Sequence, residues 1–237
     1  MQTENQTNTS VKIYHDSLDA QSRISRAASE LFASKGFEST SMRMIASKAG
    51  VSLASINYHF NSKSELYCSV LIKAHTKIDS DSNRLIEKEK TFSDGIVAFF
   101  EHCCNNSAEI QNVHSMMTSE LNFDDHLRQK LEGTFRSPPG FSALSRILDL
   151  ELKRPLPLEV KFWLINNALM YAINWVVLAS PKTVIGNIHE CYKIGQKEKI
   201  TMLKMHCEAV LSYSVNLKST PPICAIPENV RKNLDTA

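Results

Sequence analysis

Glycine and proline are scarce in this chain, and the prolines are not spread evenly. Only 7 glycines and 8 prolines occur in 237 residues, and long intervals between the proline clusters contain none. Those intervals favour helices, because helix interiors tolerate proline worse than any other residue. The clusters at 137–140 (Ser-Pro-Pro-Gly) and 154–157 (Arg-Pro-Leu-Pro) predict firm breaks between helices.

Long apolar runs are absent as well. No stretch approaches the roughly 18 uninterrupted apolar residues that a membrane span needs. The first ten residues, MQTENQTNTS, are polar and lack the apolar core of a secretory signal. We therefore expect a cytoplasmic protein that does not enter a membrane.

Enzyme motifs do not appear in the sequence. There is no phosphate-binding loop, nucleophile elbow or dinucleotide fingerprint. His189-Glu190 begins like the zinc motif H-E-x-x-H but lacks the second histidine. We predict that the protein is not an enzyme and uses no cofactor.

Metal and thiol chemistry have weak support in the pattern. The six cysteines include no C-x-x-C pair, and His102-Cys103-Cys104 is their one tight cluster. Cytoplasmic cysteines usually stay reduced and pack as small apolar residues, and we expect that role here. A thiol sensor at Cys103 and Cys104 is the alternative. We predict no metal site, because a solvated face with a helix cap explains the acidic group formed by Glu120, Asp124, Asp125 and His126.

The most informative segment covers residues 40–63, TSMRMIASKAGVSLASINYHFNSK. It predicts a helix at about 41–48, a tight turn, a second short helix at about 53–60 and the start of a third. Gly50 ends the first helix because glycine adopts left-handed backbone at little cost, and the Ser52 hydroxyl can cap the second. This is the helix-turn-helix layout, whose second helix enters the DNA major groove.

The side chains of that second helix suit duplex DNA. Asn57 can pair bidentately with adenine, and Leu53 and Ala54 can contact a thymine methyl. Phosphate oxygens can accept hydrogen bonds from a further set of side chains, which would fix the register without reading sequence: Thr40, Arg43, Tyr58, His59 and Lys63. The alternative is that the run INYHF is an aromatic core patch and the serines are ordinary caps.

Residues 23–78 resemble the DNA-binding domain of the TetR family of bacterial transcriptional regulators. The family's Leu-Phe-x-x-x-Gly-Phe/Tyr run stands here at Leu31, Phe32, Gly36 and Phe37, and its Tyr/His-Phe-x-x-Lys-x-x-Leu run at Tyr58, His59, Phe60, Lys63 and Leu66. Many members have tyrosine or phenylalanine where this chain has Asn57, which we interpret as a subgroup choice. The resemblance implies DNA contacts from Arg43, Ser52, Leu53, Ala54, Ser55, Asn57, Tyr58, His59 and Lys63.

The charge of the chain is small for a nucleic-acid binder. Its net charge is +2, from 27 basic and 25 acidic side chains. Placement compensates in part, because residues 39–64 contain no acidic side chain but do contain Arg43, Lys48 and Lys63. Modest charge predicts modest nonspecific affinity, so two DNA-reading units would have to act together.

Apolar periodicity predicts an all-α protein beyond this motif. A supporting helix at about 19–35 carries one apolar stripe, and a capping box at Ser62 and Glu65 begins a helix that reaches about Lys88. Further helices are predicted at 92–105, 107–121, 124–134, 141–152, 157–179 and 188–216. The predicted domains are a flexible tail at 1–18, a helix-turn-helix domain at 19–80, an effector-binding and dimerisation domain at 81–217, and a flexible tail at 218–237.

The segment 159–179 is apolar around nearly its full circumference. One stripe contains Trp163, Asn167, Met170 and Asn174, and another contains Leu164, Ala168, Tyr171, Trp175 and Leu178. One thick monomer core could cover both stripes, but the resemblance implies a homodimer in which the last two long helices form a four-helix bundle. A dimer would also match two operator half-sites about one helical turn apart.

The resemblance further implies a small-molecule effector that binds the C-terminal domain and loosens the protein from DNA. Candidate lining residues combine apolar walls with polar anchors: Phe99, Phe100, Met116, Met117, Trp163, Asn167, Met170 and Asn174. We therefore expect a homodimeric regulator that binds operator DNA, and we expect a repressor rather than an activator. The alternative is a helical ligand-binding or thiol-sensing protein in which DNA binding is secondary or lost.

Overall fold

The computed structural model describes the backbone of residues 2–118, 125–177 and 194–216, and the side chains of 19–118, 125–177 and 194–212. Every regular element within these residues is an α-helix, so the predicted all-α class is confirmed. The helices are α1 (Gln2–Lys35), α2 (Met42–Ala49), α3 (Leu53–His59), α4 (Lys63–Ile86), α5 (Phe92–Asn105), α6 (Ser107–Met117), α7 (Asp125–Thr134), α8 (Phe141–Leu152), α9 (Leu158–Val177) and α10 (Gln196–Asn216).

Most helix bounds agree with the prediction from sequence. The helices α5 and α8 match to the residue, and α2, α3, α4 and α9 agree within one or two residues over their described parts. The prediction was wrong at two starts: α1 begins at Gln2 rather than near Asp19, and α10 begins at Gln196, directly after Gly195. The predicted helical stretches in 119–124 and 178–193, and the C-terminal tail, lie outside the described residues.

The chain divides into two compact units. The first comprises Met1–Ala74 and Asn112–Leu131, and the second comprises His75–Gln111 and Glu132–Ala237. The division therefore falls inside α4, and α6 contributes its last turns to the first unit. The functional domain boundaries predicted from sequence stay predictions.

The core of the first unit forms where α1 packs against α2 and α3. The predicted apolar stripe of α1 is buried throughout: Ile24, Ala27, Ala28, Leu31 and Phe32. The rings of Phe32 and Tyr67 meet edge to face with centroids 4.8 Å apart. The Tyr67 hydroxyl donates to the carbonyl oxygen of Met116 at 2.7 Å, so this ring also holds the end of α6.

The core of the second unit centres on α5, which packs against α8, α9 and α10. Its inward side chains are fully buried: Phe92, Ile96, Phe99, Phe100 and Cys103. Gly95 allows α8 to approach, because a Cβ there would lie 2.9 Å from Leu144 Cδ2. The first turn of α8 is capped by α4, since Gly140 N–H donates to the Asp79 carboxylate at 2.9 Å and Ala143 N–H to the Asn83 amide oxygen at 3.1 Å.

A buried histidine makes the second unit sensitive to pH. His75 contacts the ring of Phe135 at a centroid distance of 4.4 Å. Burial lowers the pKa of His75, against smaller opposing effects of Asp79 and the Ser137 backbone. His75 is therefore protonated at about pH 6.5 in the unfolded chain but only at a lower pH in the folded chain. The contribution of His75 to stability is complete above that pH and is lost as the pH falls.

We expect the free energy of unfolding of the second unit to decrease as the pH drops under about 6.5. In His75→Gln this decrease should be smaller. The chain's 2 tryptophans, Trp163 and Trp175, both lie in the second unit, so their fluorescence during urea unfolding reports it. His126→Gln is the control, because His126 is exposed on α7. An unchanged pH slope in His75→Gln would contradict the assignment.

Candidate nucleic-acid interface

The turn between α2 and α3 has the predicted geometry. The Ser41 hydroxyl caps α2 by accepting from Met44 N–H at 3.2 Å. Gly50 ends the helix in the left-handed region at φ 64°, and Val51 N–H donates back to the Ala46 carbonyl at 3.1 Å. These bonds satisfy the carbonyls that a helix end leaves open and turn the chain sharply into α3.

The helix α3 is a seven-residue element with one buried side chain. Ser52 caps it by accepting from Ser55 N–H at 3.0 Å, and Phe60 N–H closes it on the Ile56 carbonyl at 2.8 Å. Ile56 is fully buried and anchors the helix, whereas Ala54, Asn57 and Tyr58 are exposed. The opposite faces of α3 therefore differ sharply, with one directed into the first unit and the other to solvent.

Three of the residues predicted to contact DNA lie on the exposed face of α3: Ala54, Asn57 and Tyr58. Tyr58 is 83% exposed whereas Ile56 and Phe60 are buried, so the run INYHF is not buried as one aromatic patch. Its ring meets that of His59 edge to face at 5.1 Å. Arg43 on α2 is also exposed. Leu53, Ser55 and His59 are half-buried, and Ser52 is exposed with its oxygen engaged as the cap.

Two of the residues predicted to contact phosphate make hydrogen bonds inside the fold. Thr40 is 1% exposed, and its hydroxyl lies 2.8 Å from the Gly36 carbonyl oxygen and 3.2 Å from that of Leu31. It therefore ties the α1–α2 turn together inside the fold. The Lys63 ammonium donates to the Phe37 carbonyl at 2.9 Å and lies 4.2 Å from the centre of the Phe37 ring. The Thr40 hydroxyl is therefore turned inward, whereas the phosphate contact of Lys63 stays a prediction, because an ammonium has two further donors.

Carboxylates near this surface are engaged with partners inside the first unit. Glu30 pairs with Lys48 at 2.9 Å, and Asp19 pairs with Arg23 at 3.0 Å. The predicted capping box at α4 forms by half: Ser62 accepts from Glu65 N–H at 3.0 Å, but the Glu65 carboxylate accepts from Asn61 rather than from Ser62. The result leaves the α2–α3 surface without an acidic side chain of its own.

Arg23 is a positioning residue that the sequence analysis did not identify. Its Nη1 donates to the carbonyls of Ala49 at 3.1 Å and Gly50 at 3.3 Å. A cation at a helix C-terminus also interacts favourably with the helix dipole. The signal in the sequence was its place four residues before Ala27, beside the buried stripe of α1. Arg23 therefore fixes the turn from which α3 departs.

The eight residues predicted to line an effector pocket differ in burial, and their lining role stays a prediction. Met116 and Met117 belong to the first unit and the other six to the second. Phe99, Phe100 and Met116 are buried in their cores, whereas Met117 is 52% exposed, Met170 39% exposed, and Asn174 exposed. Trp163 and Asn167 are half-buried, and the Asn167 amide donates to the Trp163 carbonyl at 2.9 Å. Met170 and Asn174 thus face away from the core of their unit, whereas Trp163 and Asn167 are partly covered.

Thiol and metal chemistry gain no support from the described residues. Burial raises the pKa of the Cys103 and Cys207 thiols to about 12, and it also raises the pKa of Cys104. A protonated thiol is a poor nucleophile, so the sensor role for Cys103 and Cys104 is disfavoured. Within the described ranges no group of three potential metal ligands occurs. Glu120 and Asp124 lie outside them, and no described helix could cross a membrane.

Residues 24–70 match the family model of bacterial regulatory proteins of the tetR family. The chain contains a TetR-family domain. The match covers α2 and α3 entirely, together with the buried half of α1 and the start of α4. The TetR-family domain therefore coincides with the elements that hold α3 and leave one of its faces exposed.

Solved structures share the fold over most of the chain. A TetR-family regulator from Marinobacter aquaeolei VT8 is 15% identical with a TM-score of 0.59, covering 84% of this chain and 97% of the other. FadR from Bacillus subtilis, in complex with stearoyl-CoA, is 16% identical with a TM-score of 0.58, covering 80% and 97%. FadR from Bacillus halodurans is 15% identical with a TM-score of 0.57, covering 85% and 97%. No curated protein matches the chain in sequence.

Arg23→Ala should destabilise the TetR-family domain by about 1 kcal/mol, a value at the low end for bonds from a charged donor because the side chain is partly exposed. Thermal unfolding followed by far-UV circular dichroism measures the change. Arg26→Ala is the matched control, since Arg26 is exposed on the same helix. Equal losses in the two variants would show that Arg23 does not hold the turn.

Proposed function

We propose that the protein is a transcriptional regulator that reads operator DNA with the exposed face of α3. The observation that carries the proposal is the division of α3 between a fully buried Ile56 and an exposed Asn57 and Tyr58. This short helix is held in place by the Ile56 side chain and its two caps, and these leave its other face open to contact a partner. The TetR-family match to this same segment supports that purpose.

The exposed side chains fall into two roles. Asn57 has the donor and acceptor that pair with the major-groove edge of adenine, and Ala54 offers a methyl to thymine. Arg43 and Tyr58 project donors suited to phosphate oxygens, which position the protein on any sequence. The N-terminal turn of α3, with Ser52 and Ser55, contains no charge that would repel a phosphate.

A second copy of the chain is the partner that this function requires. Three methionines of α9 and α10 are unusually exposed for apolar side chains: Met170 at 39%, Met202 at 41% and Met205 at 64%. These two helices pack against each other in the second unit. We define this set as the methionine face and propose that it meets the same face of a second copy. A two-fold interface of this kind would place two copies of α3 on successive half-sites.

Regulation by a small molecule fits the same arrangement. An effector that binds a DNA-incompetent form of the dimer more tightly than the competent form would release the operator without touching α3. Release on binding makes the protein a repressor. The candidate ligand residues that stay buried in the second unit are Phe99 and Phe100.

The decisive experiment is binding of the full chain to DNA from upstream of its own gene. Fluorescence anisotropy with a labelled duplex should give saturable binding of two protomers, with affinity well above that for a scrambled duplex at the same salt concentration. Equal affinity for the two duplexes at every salt concentration would overturn the proposal.

Asn57→Ala should relax the base preference at one operator position by about 1–3 kcal/mol, the value of one bidentate base contact. A panel of operators with single base changes measures this. Tyr58→Phe is the comparison variant, because loss of a phosphate donor should weaken all sequences alike. If Asn57→Ala keeps the full preference, its amide does not read a base.

Met205→Glu should convert the dimer into monomers, since a carboxylate buried in an apolar interface has no partner. Light scattering coupled to size exclusion measures the mass of the species. Leu150→Glu is the control, because Leu150 is 71% exposed on α8, outside the methionine face. A dimer that survives Met205→Glu would place the interface elsewhere.

A further inference from the structure

A histidine and a tyrosine stack where α9 and α10 pack against each other. The rings of His206 and Tyr171 are nearly parallel, at an interplanar angle of 11°, and their centroids lie 4.3 Å apart. Trp175 meets Tyr171 edge to face at 6.2 Å, so the tyrosine ring is held by a neighbour on its own helix. The stack therefore fixes the position of the His206 ring between the two helices.

One nitrogen of this ring is shielded from solvent. The Nε2 atom of His206 is buried and makes no hydrogen bond, although the residue as a whole is half-buried. An imidazolium carries an N–H on both of its nitrogens, whereas a neutral imidazole carries only one. A buried N–H of a cation that lacks an acceptor is strongly unfavourable. Protonation of His206 therefore requires the ring to move or the two helices to separate.

The helix α9 offers no charge that would offset this cost. Between Phe162 and Val177 it contains no acidic or basic side chain, and the Tyr171 hydroxyl is its one titratable group there. Burial accordingly lowers the pKa of His206. A proton on this ring has no carboxylate on α9 with which to pair.

The charged side chains of α10 and of α5, which packs against it, are engaged or exposed. Lys204 pairs with Asp94 of α5 at 2.9 Å, and Glu208 is exposed. The Lys199 ammonium lies 5.8 Å from the centre of the Trp175 ring and would repel a second positive charge. These groups leave the neutral form of the histidine as the favoured one.

His206 lies on the same side of α10 as two residues of the methionine face. Met202 precedes it by one helical turn and Met205 is its neighbour in the chain, while Tyr171 follows Met170 in α9. A second copy that covers these methionines would also cover the part of the His206 ring that one protomer leaves exposed. Pairing would thus remove the water that a charged imidazole needs.

We propose that His206 makes the pairing of two copies through the methionine face dependent on pH. This inference rests on the proposed homodimer. Because the dimer covers the ring more fully than a single protomer does, it binds fewer protons than two separate copies. Pairing is then strongest above about pH 6.5, the ordinary pKa of histidine, and weakens as the pH falls. Loss of pairing would separate the two copies of α3, so acid would also lower operator affinity.

Sedimentation equilibrium of the full chain at pH 7.5, 6.5 and 5.5, at constant ionic strength, measures the Kd of the dimer. The wild-type Kd should rise severalfold between the two ends of this range, with a limit of about 100-fold for two histidines of ordinary pKa. His206→Phe keeps a ring that can stack on Tyr171 but does not titrate, so its Kd should not change with pH. His206→Gln should behave in the same way and guards against misfolding of the first variant.

His126→Gln is the matched control, since His126 is exposed on α7 and its loss should leave the wild-type pH dependence intact. Far-UV circular dichroism at each pH separates dissociation from unfolding. A wild-type Kd that is the same at pH 7.5 and 5.5, or a wild-type pH dependence in both His206 variants, would overturn the inference. A chain that stays monomeric even at pH 7.5 would reject the proposed homodimer, and this inference with it.

Discussion

Burial of Ile56 is the contact on which the reading surface depends. A seven-residue helix does not persist in water, because nucleation costs more than so few hydrogen bonds return. The helix α3 exists because Ile56 is fully buried and because Ser52 and Phe60 satisfy its ends. The neighbouring helices then fix its orientation, and the side chains of Ala54, Asn57 and Tyr58 stay exposed. A short, fully supported element of this kind can present small polar groups to a groove with little loss of conformational entropy on binding.

Several basic side chains of the first unit bond to groups within that unit, a role that their positions in the sequence did not indicate. Arg23 holds the carbonyls at the end of α2, Lys48 pairs with Glu30, and Lys63 holds Phe37. Arg43, by contrast, is exposed beside the reading surface. With a net charge of +2 for the whole chain, electrostatic attraction to DNA is weak. Under the proposed function, affinity for DNA then comes largely from shape, from base contacts and from the pairing of two copies of α3.

Local signals explain why the helix-turn-helix was predictable. Gly50, Ser41 and Ser52 act on neighbours a few residues away, so their spacing in the sequence reveals caps and turn directly. The same holds for the apolar stripe of α1. Helix α5 and helix α8 were predictable for a related reason, since proline, glycine or a capping threonine marks their ends.

The roles that could not be predicted depend on contacts between residues far apart in the sequence. Lys63 with Phe37 and Arg23 with Ala49 are each 26 positions apart, and the sequence near each cation does not reveal its partner. Thr40 was mistaken for a surface donor because its burial depends on how α1 and α2 close over it. A lysine's chemistry suits a phosphate and a carbonyl equally well. Only the packing decides between them.

The helix α9 is apolar around most of its circumference, but its two faces differ in burial. Leu164, Ile165, Ala168 and Ala172 are buried in the core of the second unit, whereas Met170 and Asn174 on the opposite side are exposed. A single monomer core therefore covers one stripe and leaves the other. Linking two reading surfaces raises apparent affinity by about 10²- to 10⁴-fold without a new DNA contact. Under the proposed function, the methionine face gives a second copy of the chain an apolar surface on which to pair.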